Sequence, residues 1–161
     1  MAAVDFFLKI EGIDGESQDS KHKNEIELDS WSFGGTNSAH VGSGGMGAGK
    51  VSFQDFHCNM RVNKASPKLM LACASGEHIK KAVLTCRKAG KDQQEFLKYT
   101  LSDIIVSSYQ QGGSAHGDIV PMDQVSFAFS KIENEYKEQK SDGTLGGAIQ
   151  AGWNLKENKK V

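Results

Sequence analysis

Proline is nearly missing from this chain of 161 residues, with two copies, and cysteine is little commoner, with three. Cys58, Cys73 and Cys86 lie far apart, no CxxC occurs, and no histidine stands three or four residues from a cysteine. That spacing argues against a disulfide framework and a zinc site, and points to buried free thiols in a reducing cytoplasm. Neither sign of charge is in excess, with 19 Lys and Arg against 20 Asp and Glu. Nucleic-acid binding draws on a basic excess or stripe, so no nucleic-acid partner is expected. The short basic pairs Lys80-Lys81, Arg87-Lys88 and Lys159-Lys160 read as solvated faces. No apolar run is long enough to cross a bilayer, and no basic segment precedes an apolar one at the N-terminus. Membrane insertion and a secretory signal are therefore not expected; a chain that leaves the cell does so by another route. Apolar residues make up only 38%, enough for one domain with a thin core and a large wetted or partner-covered surface.

What is present is strand pattern. Val4, Phe6, Leu8 and Ile10 alternate onto one face. Gly12 to Lys23 is polar and turn-rich, hence a loop. Glu25 to Phe33 reads as a second strand whose apolar parity changes from Ile26 and Leu28 to Trp31 and Phe33, which a bulge or bend near Asp29-Ser30 would reconcile. A long glycine-rich excursion follows from Gly34 to Gly49, and strand character returns from Val51 to Val62. One short helix is marked by Ser66 as N-cap, Pro67 in the first turn and Gly76 as the stop, with Leu69, Ala72 and Cys73 on the face that docks. Further strands are expected at 81–88, 95–109, 124–132 and 148–155, the clearest having Val125, Phe127 and Phe129 inward. The pattern predicts a mainly β protein: a β-barrel with one short flanking α-helix and an extended glycine-rich loop.

Two glycine motifs fall in that loop. Gly42 to Gly47 matches GxGxxG, and Gly44 to Lys50 matches GxxxxGK. Both cradle phosphate only at a helix N-terminus, and the second needs a hydroxyl residue after the lysine. Val51 stands there, and the following segment reads as a strand, so the loop is expected to be a flexible arm or extended hairpin. His22, His40, His57, His78 and His116 are scattered, and no HExxH or GxSxG occurs. Asp118 and Asp123 read as solvated carboxylates flanking a loop. No catalytic, cofactor or metal site is read, and no enzyme activity is expected.

The chain resembles a known family at many points in order. These are Val-Asp-Phe-Phe-Leu-Lys-Ile from Val4, Gly-Glu-Ser from Gly15, Ser-Trp-Ser-Phe-Gly from Ser30 and Lys-Ala-Ser-Pro-Lys-Leu-Met from Lys64. Cys-Ala-Ser-Gly-Glu-His-Ile from Cys73, Arg-Lys-Ala-Gly from Arg87, Val-Ser-Ser from Val106, Gly-Gly-Ser from Gly112 and Ala-Gly-Trp-Asn from Ala151 complete the set. In this order they are similar to the haemolysin-coregulated protein (Hcp) family, the tube proteins of bacterial type VI secretion. Phe33, Asn63 and Asn154 depart from the residues common at those places. The resemblance implies a barrel that forms homohexameric rings, stacked into a tube held within a sheath and tipped by a spike protein. It also implies effector proteins in the lumen, residence in the cytoplasm before firing, and secretion without a signal peptide. Some relatives carry a C-terminal toxin domain; with its end at Val161, residues 1–161 are expected to be a plain tube domain. If Trp31 and Phe33 point into the protein, Ser32 points the opposite way and is the candidate lumen residue. The glycine-rich arm is the candidate contact between subunits or rings, with His40, Val41, Gly44, Met46 and Gly49 as its candidate residues. A phage-type tail-tube protein would share this fold and assembly. A small β-sandwich ligand-binding module would instead need an aromatic-lined pocket.

Overall fold

A computed structural model describes residues 4–42, 45–47, 49–89, 92–117 and 120–161, with backbone alone at 40–42, 45 and 46. The expected mainly β architecture is observed. Strand β1 (Val4–Ile10) pairs with β2 (Ile26–Leu28) on one side and β9 (Ile79–Lys88) on the other. From β9 the sheet continues antiparallel through β10 (Glu95–Gly112), β11 (Met122–Gln139), β12 (Leu145–Asn154) and β13 (Lys159–Lys160). The two long strands serve two sheets. The first half of β11 pairs with β8 (Phe56–Arg61), which in turn pairs with β3 (Ser30–Ser32); its second half pairs with β12. The hydrogen-bonded path does not close by itself. The chain closes it, because β2 and β3 are separated by Asp29 alone, whose N–H donates to the Asn59 carbonyl at 2.8 Å. The bend inferred from the parity change in 25–33 is this one-residue break, and it makes the sheet barrel-like.

The core fills the barrel. Phe56, Phe127, Met60, Leu69 and Ile104 are completely buried, and Trp31, Phe33 and Tyr99 pack around Phe56 with ring centroids 5.3 to 5.8 Å apart. The alternation of Val125 and Phe127 inward is observed, with Phe129 half-buried against the core. Leu101 and Ile104, three apart on β10, are both buried because Asp103 between them adopts φ +51° and turns the strand over. Strand β11 runs to Gln139, well past the expected end at Ile132. Its last seven residues carry no apolar alternation, but the ladder to β12 holds them, joined as far as Tyr136 by the ladder to β10.

Helix α1 (Ser66–Ser75) buries Leu69 and Ala72 and ends at Gly76, which takes φ +66°. The expected cap is corrected. Ala65, not Ser66, occupies the cap position, and its N–H is held by Asn63 Oδ1 at 2.9 Å. The Ser66 hydroxyl instead donates to the Asp123 carboxylate at 2.5 Å, tying the helix to β11. Asp123 is itself corrected: it is fully buried rather than solvated, and also accepts from Tyr109 and Gln111 at 2.9 and 3.0 Å. This neighbour and burial raise the Tyr109 hydroxyl above its ordinary range, with burial the larger cause.

The segment from Gly12 to Lys23 is a loop, as expected, but an ordered one that straps the outer face of β1 and β9 and continues to β2 at Ile26. Phe7, on the face opposite the core, is buried beneath it, stacked on His22 at 4.3 Å and under the Arg87 guanidinium at 4.7 Å. Arg87 is buried rather than on a solvated face: it donates to both Asp19 oxygens at 3.0 and 2.7 Å and to Asp5 at 3.1 Å, and His22 lies between Glu25 and Glu95 at 2.9 and 2.7 Å. The Arg87 hydrogen bonds hold the Asp19 carboxyl down to about 2. Because this value lies below that of the unfolded chain, the stabilisation is complete above the ordinary carboxylate range and is lost as the pH falls through about 2. A carboxyl-carbon NMR titration is expected to place the Asp19 midpoint near 2, and Arg87→Gln to move it up toward about 4. An unchanged midpoint in the variant would remove Arg87 as the cause.

Candidate functional site

The outward faces of the barrel differ in chemistry. The first, on β1 and β9, is covered by the strap. The second, on the early half of β10 with β11 and β12, is charged: Lys98, Glu135 and Gln150 lie side by side, with Glu133 and Lys131 in the next rows. The third spans β3, β8, β11 and the late half of β10, and it is built otherwise. Register places Ser32, His57, Ser126 and Ser108 in one row across four strands, and Ser30, Asn59, Gln124 and Gln110 in the next. Between the rows, Trp31, Cys58, Val125 and Tyr109 turn inward. The two outward rows hold hydroxyl, amide and imidazole groups and no carboxylate, ammonium or guanidinium.

Ser32 is exposed on this face, and its neighbours Trp31 and Phe33 pack against the core, so the alternation that singled it out is observed. Sequence reasoning missed the other members of the rows. Neighbours within these rows lie 14 to 69 residues apart in sequence, and only strand register brings them together. Side chains within the face are cross-linked: His57 Nδ1 lies 2.6 Å from Ser126 Oγ, and Asn59 donates to Ser30 Oγ at 2.8 Å. His57, Asn59, Gln110, Gln124 and Ser126 line a shallow depression of about 410 Å³.

The glycine-rich segment is a projecting antiparallel ribbon. At its base β4 (Gly35–Asn37) pairs with β7 (Val51–Phe53), and farther out β5 (His40–Gly42) pairs with β6 (Gly45–Gly47). This is the extended hairpin of the two expected forms. Val51–Phe53 is a strand, so no helix N-terminus follows either glycine motif. Of the candidate contact residues, His40 pairs with Gly47 and Val41 with Met46 in backbone register, and Gly44 lies outside the described residues. Gly49 is held by both ends of the Asn37 amide, donating to Oδ1 and accepting from Nδ2 at 3.0 Å each. A side chain here imitates one rung of a ladder.

Two further features bear on partners. The third face has two open edges: β3 pairs only with β8, and β10 beyond Ile104 pairs only with β11 among the described residues. The core-facing side of β10, β11 and β12 also continues beyond the barrel, where Leu97, Tyr136 and Ile149 stand in one row. Ile149 is 69% exposed and Tyr136 45%. Between that row and the core lies a hollow of about 220 Å³ lined by Phe33, Phe53, Tyr99 and Trp153. It is the aromatic pocket that a ligand-binding module would need, but it is smaller than the usual ligand cavity of about 300 Å³ or more.

Among the described residues no group of three His, Cys, Asp or Glu is arranged to hold a metal ion. Cys58 and Cys86 are buried and Cys73 half-buried. Burial pushes the Cys58 thiol far up and the Cys86 thiol up to about 11, which keeps both protonated and unreactive.

Comparison with known proteins agrees across sequence and structure. The family description "Type VI secretion system effector, Hcp" matches residues 7–136. Protein hcp1 of Pseudomonas aeruginosa is 43% identical over 159 residues, covering 97% of this chain and 98% of that one. The crystal structure of Hcp1 from Salmonella typhimurium superposes with a TM-score of 0.85 at 42% identity, over 99% of this chain and 100% of the other. A structure described as a type six secretion system protein gives a TM-score of 0.93 at 33% identity, over 99% and 100% of the two chains.

Proposed function

Because the chain belongs to the Hcp family of type VI secretion proteins, we propose that it is a structural subunit of the secretion tube. Copies close into hexameric rings, rings stack within the sheath and beneath the spike, and effector proteins travel in the lumen. The observation that carries this reading is the uncharged polar face of β3, β8, β11 and β10 with an open strand at each side. An exposed edge is a template for pairing with another chain. Setting β3 of one copy against the late half of β10 in the next extends the face around a circle, by a head-to-tail contact between unlike surfaces.

In that ring the rows through Ser32 become the inner wall. Hydroxyls and amides suit such a wall, since they stay wetted without attracting or repelling cargo of either charge. The apolar row of Leu97, Tyr136 and Ile149 is the second contact surface. Apolar groups that extend the core outward in this way are covered by a partner, and here the partner is a neighbouring copy. The ribbon that carries His40, Val41, Gly44, Met46 and Gly49 reaches the next subunit or ring.

Native mass spectrometry of the purified chain tests the reading. A six-copy species is expected, and Ile149→Asp, which places a carboxylate in the contact, is expected to weaken assembly by about a hundredfold. A wild-type chain that remains single at about ten times the concentration typical of micromolar contacts would refute the proposal.

A further inference from the structure

We propose that His57 is a charge-switchable contact of the inner wall, which holds acidic segments of cargo when its imidazole is protonated. The inference rests on the inner-wall reading of the Ser32 face and adds to it the chemistry of what that wall retains. His57 is exposed, stands beside Ser32 in register, and opens onto the depression formed with Asn59, Gln110 and Gln124.

The partner of its ring is what makes the switch possible. Ser126, only 7% exposed, holds Nδ1 at 2.6 Å. A hydroxyl can donate to an unprotonated ring nitrogen or accept from a protonated one. His57 therefore keeps its anchor and its orientation in both charge states, and Nε2 has no partner among the described residues. His22 is built the other way, because carboxylates on both sides of its ring can only accept while they are ionised.

Among the described residues no carboxylate is hydrogen-bonded to the His57 ring, whose side-chain partner is the Ser126 hydroxyl. The register neighbours of His57 are Ser32 and, diagonally, Ser30 on β3, and Ser126 and, diagonally, Gln124 and Ala128 on β11, with Ser108 and Gln110 one strand farther on β10. The charged groups along its own strand are Asp55, just before β8 and engaged by the Ser107 hydroxyl at 2.6 Å, and Arg61 at the far end. An imidazole gains charge under mildly acidic conditions. Within two rows otherwise free of charge, one cation per subunit repeated around a ring creates a positive belt within a confined channel, where fields are focused.

The test uses the untagged chain as purified and a fluorescent decapeptide of aspartate, which keeps a net negative charge at both pH values. Binding to the rings is expected to be about tenfold tighter at about pH 5 than at about pH 8. His57→Gln is expected to abolish that difference and His57→Lys to give tight binding at both pH values, with the six-copy mass unchanged in each. Tighter acid binding that survives His57→Gln, or rings that bind the peptide equally at both pH values, would overturn the assignment and leave the ring reading standing. A chain without rings would overturn the inner-wall reading, and this proposal with it.

Discussion

Replacing Phe56 with alanine is expected to lower the stability of the fold by about 4 kcal/mol, the range for a large aromatic removed from a rigid core. Phe56 has no exposed surface and begins the strand on which the barrel closes. Its ring meets Trp31 and Phe33 at 5.6 Å and Tyr99 at 5.8 Å, so three elements lose a shared contact at once. Those neighbours are pinned by the β3–β8 and β9–β10 ladders and cannot collapse into the space. The loss is read as a lower urea midpoint at matched protein concentration, because assembly itself adds to apparent stability. Phe96, half-buried at the start of β10, is the comparison site, with an expected loss of about 1 kcal/mol on the same change. Equal losses at the two sites would refute the view that the core is organised around Phe56.

Gly49→Ala is expected to leave the barrel intact and disable the ribbon. A Cβ at Gly49 would lie 2.1 Å from the Ser38 carbonyl oxygen and 2.5 Å from its carbon. Both are backbone atoms, so no side-chain rotation relieves the conflict and the paired strands must part. The two Asn37–Gly49 hydrogen bonds would be lost with them. If the ribbon makes a contact between copies, strain of about 2 kcal/mol corresponds to about a thirtyfold weaker association. Gly47→Ala is the matched control, since a Cβ there meets nothing within 4 Å. Concentration-dependent native mass spectra and urea unfolding would separate the two effects. Assembly that is unaffected by Gly49→Ala would remove the ribbon from the subunit contacts, and a large fall in stability would show that it belongs to the core.

Most of the local structure was legible before the fold was known, because it depends on neighbours in sequence. Alternation marked β1 and the inward face of β11; Pro67 and Gly76 bounded the helix; the parity change at Ile26 to Phe33 located the Asp29 bend. The ordered run of short segments from Val4 to Asn154 was similarly specific for the family. Hydrophobic periodicity could not register Phe7, which is buried under a polar strap, or residues 133 to 139, which are strand because neighbouring ladders hold them. It also misread Ser66 and Asp123, whose true partners are each other across 57 residues.

The candidate site divides along the same line. Alternation around Ser32 is a property of three consecutive residues, and it survives any tertiary arrangement that buries Trp31 and Phe33. The rows beside it, the open edges and the apolar extension exist only once β3, β8, β11 and β10 are set in register, since a shift of one residue would exchange their faces. What the amino-acid order determined alone was the main strands of the barrel, the bounds of the helix and the family. Only the tertiary structure decided which polar residues share a wall, because hydrogen-bonded pairing between distant strands is what makes them neighbours.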